Sequence, residues 1–308
     1  MWGEFGGRAM TRPQAIGKAR MSADTPSSLR VLSLGAGVQS TTLALMSAAG
    51  ELEPLDAAIF ADTQAEPAAV YRHLEWLTQP GLLPFPVYVV SRGNLEADFI
   101  ATLSGATTRC GQPPFFVRNP DNDGIAGLDH RRMLRPEETP DKGGMLWRKC
   151  TQEYKLEVIR RKVRELSGGE PVEQWLGIST DEAHRMKDSG VRYITNRYPL
   201  IERRMDRGNC RSWLFKRGYR QPPKSACYFC PYTSNERWMA MKRDEPAEWE
   251  KACQFDEALR ERRTAKLAAG IKGEIFVHRS MTPLRTADLG DEDTLDLFGN
   301  ECEGYCGV

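Results

Sequence analysis

Two sets of residues in this chain of 308 have types and spacings suited to chemistry. The first is the run Val31-Leu-Ser-Leu-Gly-Ala-Gly-Val-Gln-Ser-Thr41. Glycines at a strand-to-helix turn let backbone N–H groups converge on an anion, and the new helix adds its positive end. Ser40 and Thr41 stand where hydroxyls supplement those donors. The same residues also read as a tight turn that binds nothing. The run is not a dinucleotide fingerprint, because Gly35 and Gly37 lack a correctly spaced third glycine. It is not a Walker A loop either, since no Gly-Lys-Ser/Thr follows.

The second set is thiols. Cys227-Tyr-Phe-Cys230 has the spacing at which two thiolates share one metal. Cys150 precedes a helical segment and follows Arg148 and Lys149, a positive setting that favours a thiolate. Cys302 and Cys306 lie on a polar terminal tail, while Cys110 and Cys253 read as ordinary packing or surface residues. Eight cysteines in a chain expected to be cytosolic point to metal or redox chemistry before disulfides. The four histidines, His73, His130, His184 and His278, show no ligand spacing. Between Arg203 and Lys224, basic residues crowd together with Trp213, Phe215 and Tyr219 interleaved. Such a segment suits a nucleic-acid strand or outer phosphates. It equally suits a solvated, helix-rich lobe with its aromatics turned inward.

Strands are expected at 31–34, 57–61 and 86–90, with helices at 40–49, from Pro67 through Leu77, and at 95–103. Strand and helix alternating over short connections predict an α/β fold, a doubly wound parallel sheet with helices on both faces. Residues 111–144 lose periodicity in a run of Pro, Gly, Asp, Asn and Arg, a length more often functional than plain linker. A basic amphipathic helix is expected at 151–166, a strand at 172–178 and a charged helix near 245–266. Residues 1–29 read as a mobile tail, with Met21 a candidate start. A nucleotide-binding domain is expected over 30–200 and a smaller, basic, cysteine-containing lobe over 201–308.

The glycine run resembles the pyrophosphate loop of the adenine nucleotide alpha hydrolase-like superfamily, the PP-loop ATP pyrophosphatases, and in particular its phosphoadenosine phosphosulfate reductase-like branch. The usual frame is Ser-Gly-Gly-x-Asp-Ser, occupied here by Gly35-Ala36-Gly37-Val38-Gln39-Ser40. Gly35, Ala36 and Gln39 depart from it, which bears on ATP hydrolysis more than on nucleotide binding. Phe60-Ala-Asp-Thr-Gln-Ala-Glu66 is similar to the family's second strand and its acids. Gly177-Ile-Ser-Thr-Asp-Glu-Ala-His-Arg185 and Tyr198-Pro-Leu-Ile201 resemble its later segments in the same order. The resemblance implies a Rossmann-like fold of the HUP type. It implies a nucleotide held by Ser33, Gly35, Ala36, Gly37, Gln39, Ser40, Thr41, Asp62, Gly177, Asp181 and Arg185. Asp62 alone also reads as a helix N-cap, and Arg185 alone as a surface arginine. In similar enzymes a cysteine before such a helix joins a later Cys-x-x-Cys around a [4Fe–4S] cluster. That implies Cys150, Cys227 and Cys230 as ligands, with Cys210 a candidate fourth and zinc the alternative metal.

Two catalytic readings follow from the resemblance. In one, ATP with Mg adenylates a nucleobase or nucleic acid, and sulfur from a donor displaces the adenylate. In the other, adenylyl or phosphoadenylyl sulfate is reduced with a thiol reductant, and Glu301-Cys302 with Cys306 resembles the nucleophilic reductase tail. A non-catalytic, metal-stabilised nucleotide- or nucleic-acid-binding protein is the third reading. Net charge is only +1, so attraction to a polyanion must come from a local patch. No apolar run approaches the roughly 18–20 residues of a membrane helix, so the expectation is a cytoplasmic protein with no membrane partner.

Overall fold

The computed structural model describes residues 28–107, 111–118, 143–261 and 273–290. Most of the expected N-terminal tail, together with Cys110, His130, Cys302 and Cys306, lies outside the described residues.

Alternation along the first strands decides the architecture. In β1 (Leu29–Ser33), Val31 packs into one apolar cluster and Leu32 into another. In β2 (Ala57–Asp62), Ile59 and Ala61 join the first cluster while Ala58 and Phe60 join the second. Successive side chains of a strand point to opposite faces, so a strand apolar at every position must be covered on both. β3 (Val87–Ser91) follows. After the short β4 (Phe116–Arg118) and β5 (Gly143–Met145) come β6 (Val172–Leu176) and β7 (Ile194–Arg197). The sheet is five-stranded and parallel throughout, in the order β3-β2-β1-β6-β7.

One face is covered by α1 (Val38–Ala48), α2 (Ala68–Leu77) and, from later in the chain, α6 (Arg207–Lys216). Leu43, Val70, Leu74 and Leu214 meet Leu32, Phe60 and Trp175 there. The other face is covered by α4 (Glu157–Ser167), whose Val158, Ile159 and Val163 pack on Val31, Ile59 and Val172. Helices on both faces of a parallel sheet make this a doubly wound, Rossmann-like α/β fold. α4 is preceded without a break by a wider π-helical turn, Thr151–Leu156, so the expected helix at 151–166 starts in a different geometry.

A further core joins α3 (Leu95–Leu103), α7 (Asn235–Asp244) and α8 (Pro246–Glu261) around Phe99, Phe115, Phe229, Trp249 and Phe255. β8 (Glu274–Phe276) pairs antiparallel with β4, which pairs with β5. The short α5 (Pro199–Glu202) and α6 belong to the sheet, and the second core recruits α3 from the first half. No helix of the described residues is long and apolar enough to cross a membrane.

Strand order positions the site. β1 has β2 on one side and β6 on the other, so the connections leaving β1 and β6 diverge, which in open α/β sheets is where a ligand crevice forms at the carboxyl ends. Ser33 lies opposite Leu176 in the register, and Gly35–Gly37 and Gly177–Ser179 therefore emerge side by side.

Candidate functional site

The glycine turn lies wholly buried at the carboxyl end of β1. Gly37 is the N-cap of α1, and no side chain caps the helix, nor is there an acid in its first turn. Uncapped N–H groups at a buried helix start are the donors an anion would satisfy. The turn is held by Ser40, whose Oγ accepts from Gly35 N at 3.2 Å and donates to the Gly37 carbonyl at 3.4 Å. Ala36 has φ +57°, the left-handed region that favours glycine. Thr41 Oγ1 lies 3.0 Å from Nε2 of buried His73, which ties α1 to α2. Burial, reinforced by the Arg220 charge, lowers the His73 pKa to about 4 and keeps the ring neutral.

β6 ends directly against this turn. A Cβ on Gly177 would stand 2.9 Å from Ser40 N and 3.2 Å from Gln39 C, so only glycine allows the approach. Beyond it, Gln39 Nε2 donates to Ser179 Oγ and to Glu182 Oε2, each at 3.4 Å. Arg185 reaches Glu182 Oε1 at 3.2 Å. Asp181 accepts from Arg207 N at 3.2 Å, and Thr180 N donates to the Met205 carbonyl, which joins this segment to the start of α6. Ser33, Gly35, Ala36, Gly37, Gln39, Ser40, Thr41, Gly177, Asp181 and Arg185 thus lie on the adjoining ends of β1 and β6 and the segments that follow them. Asp62 stands at the end of β2 and caps no helix, since the N-cap of α2 is Pro67. Its Oδ1 accepts from Gln64 N and Tyr71 Oη, both at 2.8 Å.

The thiols flank the same end of the sheet. Cys227 Sγ lies 3.4 Å from Thr63 Oγ1, just past β2, and Tyr228 N donates to the Ala65 carbonyl at 3.0 Å. Two residues earlier, Ser225 is buried, its Cβ 3.8 Å from where a Cβ on Gly37 would be. One short segment therefore spans from the phosphate-loop candidate to the thiols. Cys150 stands at the N-cap of the π-helical turn and packs against the same apolar core as Cys227. Lys155 Nζ, from the same turn, lies 3.4 Å from Glu66 Oε1, both side chains buried. Burial pushes the Cys227 thiol well up, Glu66 adds to this, and Lys155 opposes it. Cys230 N donates to the Cys227 carbonyl at 2.9 Å. Three thiols in this neighbourhood fit an iron–sulfur or zinc site in donor chemistry. Among the described residues, however, no three His, Cys, Asp or Glu side chains converge closely enough to hold a metal ion. Cys210 is not brought to them. It sits in the sheet's core beside Thr42, where burial raises its pKa to about 12.

The basic segment is largely spent on its own packing. Trp213 Nε1 donates to Glu51 at 3.0 Å, and its ring stacks on Tyr219. Arg217 pairs with Glu51, and Arg220 lies over the Trp76 ring at 4.7 Å. Sequence reading left Thr63, His73, Lys155, Ser179, Glu182 and Ser225 outside the candidate set. A run of residues around an Asp or Cys draws attention to the motif, but nothing local marks Glu182 as a partner of Gln39, 143 positions away.

No family model matches the chain, and no curated protein sequence matches it. Among solved structures it is similar to a phosphoadenylyl-sulfate (PAPS) reductase from Candida auris, solved as a phosphate complex. Identity is 13%, over 65% of this chain and 76% of that one, with a TM-score of 0.37. A likeness of that size says nothing about the site, and the fold stands on the strand order itself.

Proposed function

We propose that the chain binds an adenine nucleotide in the crevice between β1 and β6 and uses it for sulfur chemistry, adenylating an acceptor and replacing the activated oxygen with sulfur. The observation that carries this reading is the segment 225–230, which lays Ser225 against Gly37 and Cys227 against Thr63. Phosphate donors and thiols then serve one reaction space. The adenine preference comes from the resemblance of the loop and of the Gly177–Arg185 segment.

In this reading the α1 N–H groups, with the Ser225 hydroxyl, hold the pyrophosphate end, and Arg185 balances the Glu182 carboxylate so that it does not repel the phosphates. An acceptor oxygen attacks the α-phosphorus and pyrophosphate leaves. Sulfur then attacks the acceptor carbon, and AMP departs with the oxygen. Lys155 offsets negative charge that gathers on sulfur near Cys227. A cluster on Cys150, Cys227 and Cys230 would require these thiols to draw closer together than they stand here, and bound so it would supply iron able to carry sulfide.

The rival is reduction of an adenylyl sulfate, whose tail nucleophiles Cys302 and Cys306 lie outside the described residues. Two assays on the full chain separate them. ATP with a nucleobase or oligonucleotide and a sulfide donor is expected to give AMP and pyrophosphate in step with acceptor thiolation. Phosphoadenylyl sulfate with a thiol reductant is expected to give no sulfite. Sulfite release that disappears with Cys302→Ser would make the protein a reductase, and bound nucleotide without turnover in either assay would make it a binding protein. Anaerobically purified protein is expected to contain iron and acid-labile sulfide, both lost in Cys227→Ser. Stoichiometric zinc in place of iron would make the thiols structural.

A further inference from the structure

We infer that the outer face of α6 is a docking surface for single-stranded nucleic acid, with Phe215 stacking on a base while Arg211 and Lys216 meet phosphates. Phe215 is 77% exposed. It lies in an open cleft of about 520 Å³ lined also by Arg211, Ser212, Lys216, Gln221 and Pro222. The neighbouring aromatics are not available for this role, since Trp213 and Tyr219 stack on each other with ring centres 6.0 Å apart. The neighbouring cations are likewise engaged: Arg217 with Glu51, Arg203 with the Glu51 carbonyl, Arg220 over Trp76. Arg211 and Lys216, by contrast, are exposed and form no ion pair with any described residue.

A single exposed phenylalanine is ordinary. What sets this one apart is its setting between two cations without ion-pair partners, beside Ser212 and a Gln221 whose amide donates to the Arg211 carbonyl at 3.2 Å. Of the nearby acids, Glu202 pairs with Arg197, and Asp206 is held at the far end of α6 as its cap, accepting from Asn209 N at 2.6 Å. An aromatic ring flanked by positive charge fits a strand whose bases stack and whose backbone is anionic. A lipid surface would need a broad apolar face, which this helix does not present. The surface also leads to the crevice. Arg207, the first residue of α6, is bonded to Asp181, and at 1.5 Å per residue Phe215 lies about 12 Å further along.

As an acceptor site this rests on the nucleotide reading above, but strand binding is measurable separately. Fluorescence anisotropy of a labelled single-stranded oligonucleotide with the full chain at low salt is the test. Phe215→Ala is expected to weaken binding about tenfold, and Phe215→Trp to retain it. Arg211→Ala and Lys216→Ala should each lower the slope of log affinity against log salt by about 0.7. ATP titrations of all four variants should match the parent. Failure of the parent to bind, or a Phe215→Ala protein that binds like the parent, overturns the inference. So does binding to anionic vesicles that Phe215→Ala abolishes while oligonucleotide binding stays unchanged. Loss of ATP binding by the parent with strand binding intact would instead remove the nucleotide reading and leave this surface standing.

Discussion

At the scale of single residues, the crevice depends on the absence of a methyl group. Gly177 lets β6 end against the backbone of Gln39 and Ser40, where a Cβ would stand 2.9 Å from Ser40 N, closer than such atoms approach. Gly177→Ala must push the two connections apart, an overpacking that destabilises by about 1–3 kcal/mol. A lowered melting temperature and weaker nucleotide binding are expected together; a melting temperature equal to the parent's would refute the close approach. Ala36 presents the reverse case. It holds φ +57° without being glycine, in a turn braced by Ser40 on both sides. Cys227 differs from a surface thiol because burial and Glu66 disfavour its thiolate, while Lys155 favours it. Its reactivity therefore belongs to its neighbours as much as to the Cys-x-x-Cys spacing.

At the scale of elements, α1 is fastened to α2 through Thr41 and His73. The His73 ring, like that of His278, has its pKa lowered from 6.5 to about 4 by burial, with the Arg220 and Arg279 charges adding to it. Below pH 6.5 the unfolded chain takes up protons that these folded rings refuse. Their contribution to stability is present above that pH and is lost as pH falls toward about 4. Urea unfolding across this range should show stability falling with pH, and less steeply in His73→Gln; an unchanged slope would mean the ring titrates normally in the fold. The elements themselves were legible up to α3, because apolar runs of four or five residues between glycine and proline turns have few other readings. β7 was not. Ile194–Arg197 carries a single buried apolar residue and becomes a strand only because β6 offers it an edge. α6 and α7 were hidden for a related reason: their charged faces obscure the few inward residues, Leu214 and Cys210 in one, Trp238 and Met241 in the other. In the site, the glycine loop was visible locally. Its partners Glu182 and Ser225, and the Lys155–Glu66 pair, arise from contacts between distant segments that no window of sequence contains.

At the scale of the whole molecule, two cores meet around one end of a parallel sheet. The sheet contributes the crevice between β1 and β6, and the second core contributes the segment that carries Cys227. α6 starts at the hydrogen bond between Arg207 and Asp181 and carries Phe215 near its other end. All of this turns on whether the uncapped start of α1 receives an anion. Gly37→Asp isolates that question. Gly37 has φ −92°, open to any residue, and a Cβ there meets only Ser225 Cβ at 3.8 Å. An aspartate at this N-cap would occupy the helix N–H groups with its own carboxylate and, since glycine is already a fair N-cap, change the stability of α1 by only a few tenths of a kcal/mol. Calorimetric titration of ATP into the parent and into Gly37→Asp, with melting temperatures alongside, is the most direct measurement. The parent should bind, and the variant should melt no lower yet fail to bind. ATP binding of equal affinity in both proteins would contradict the assignment of the phosphate site to α1.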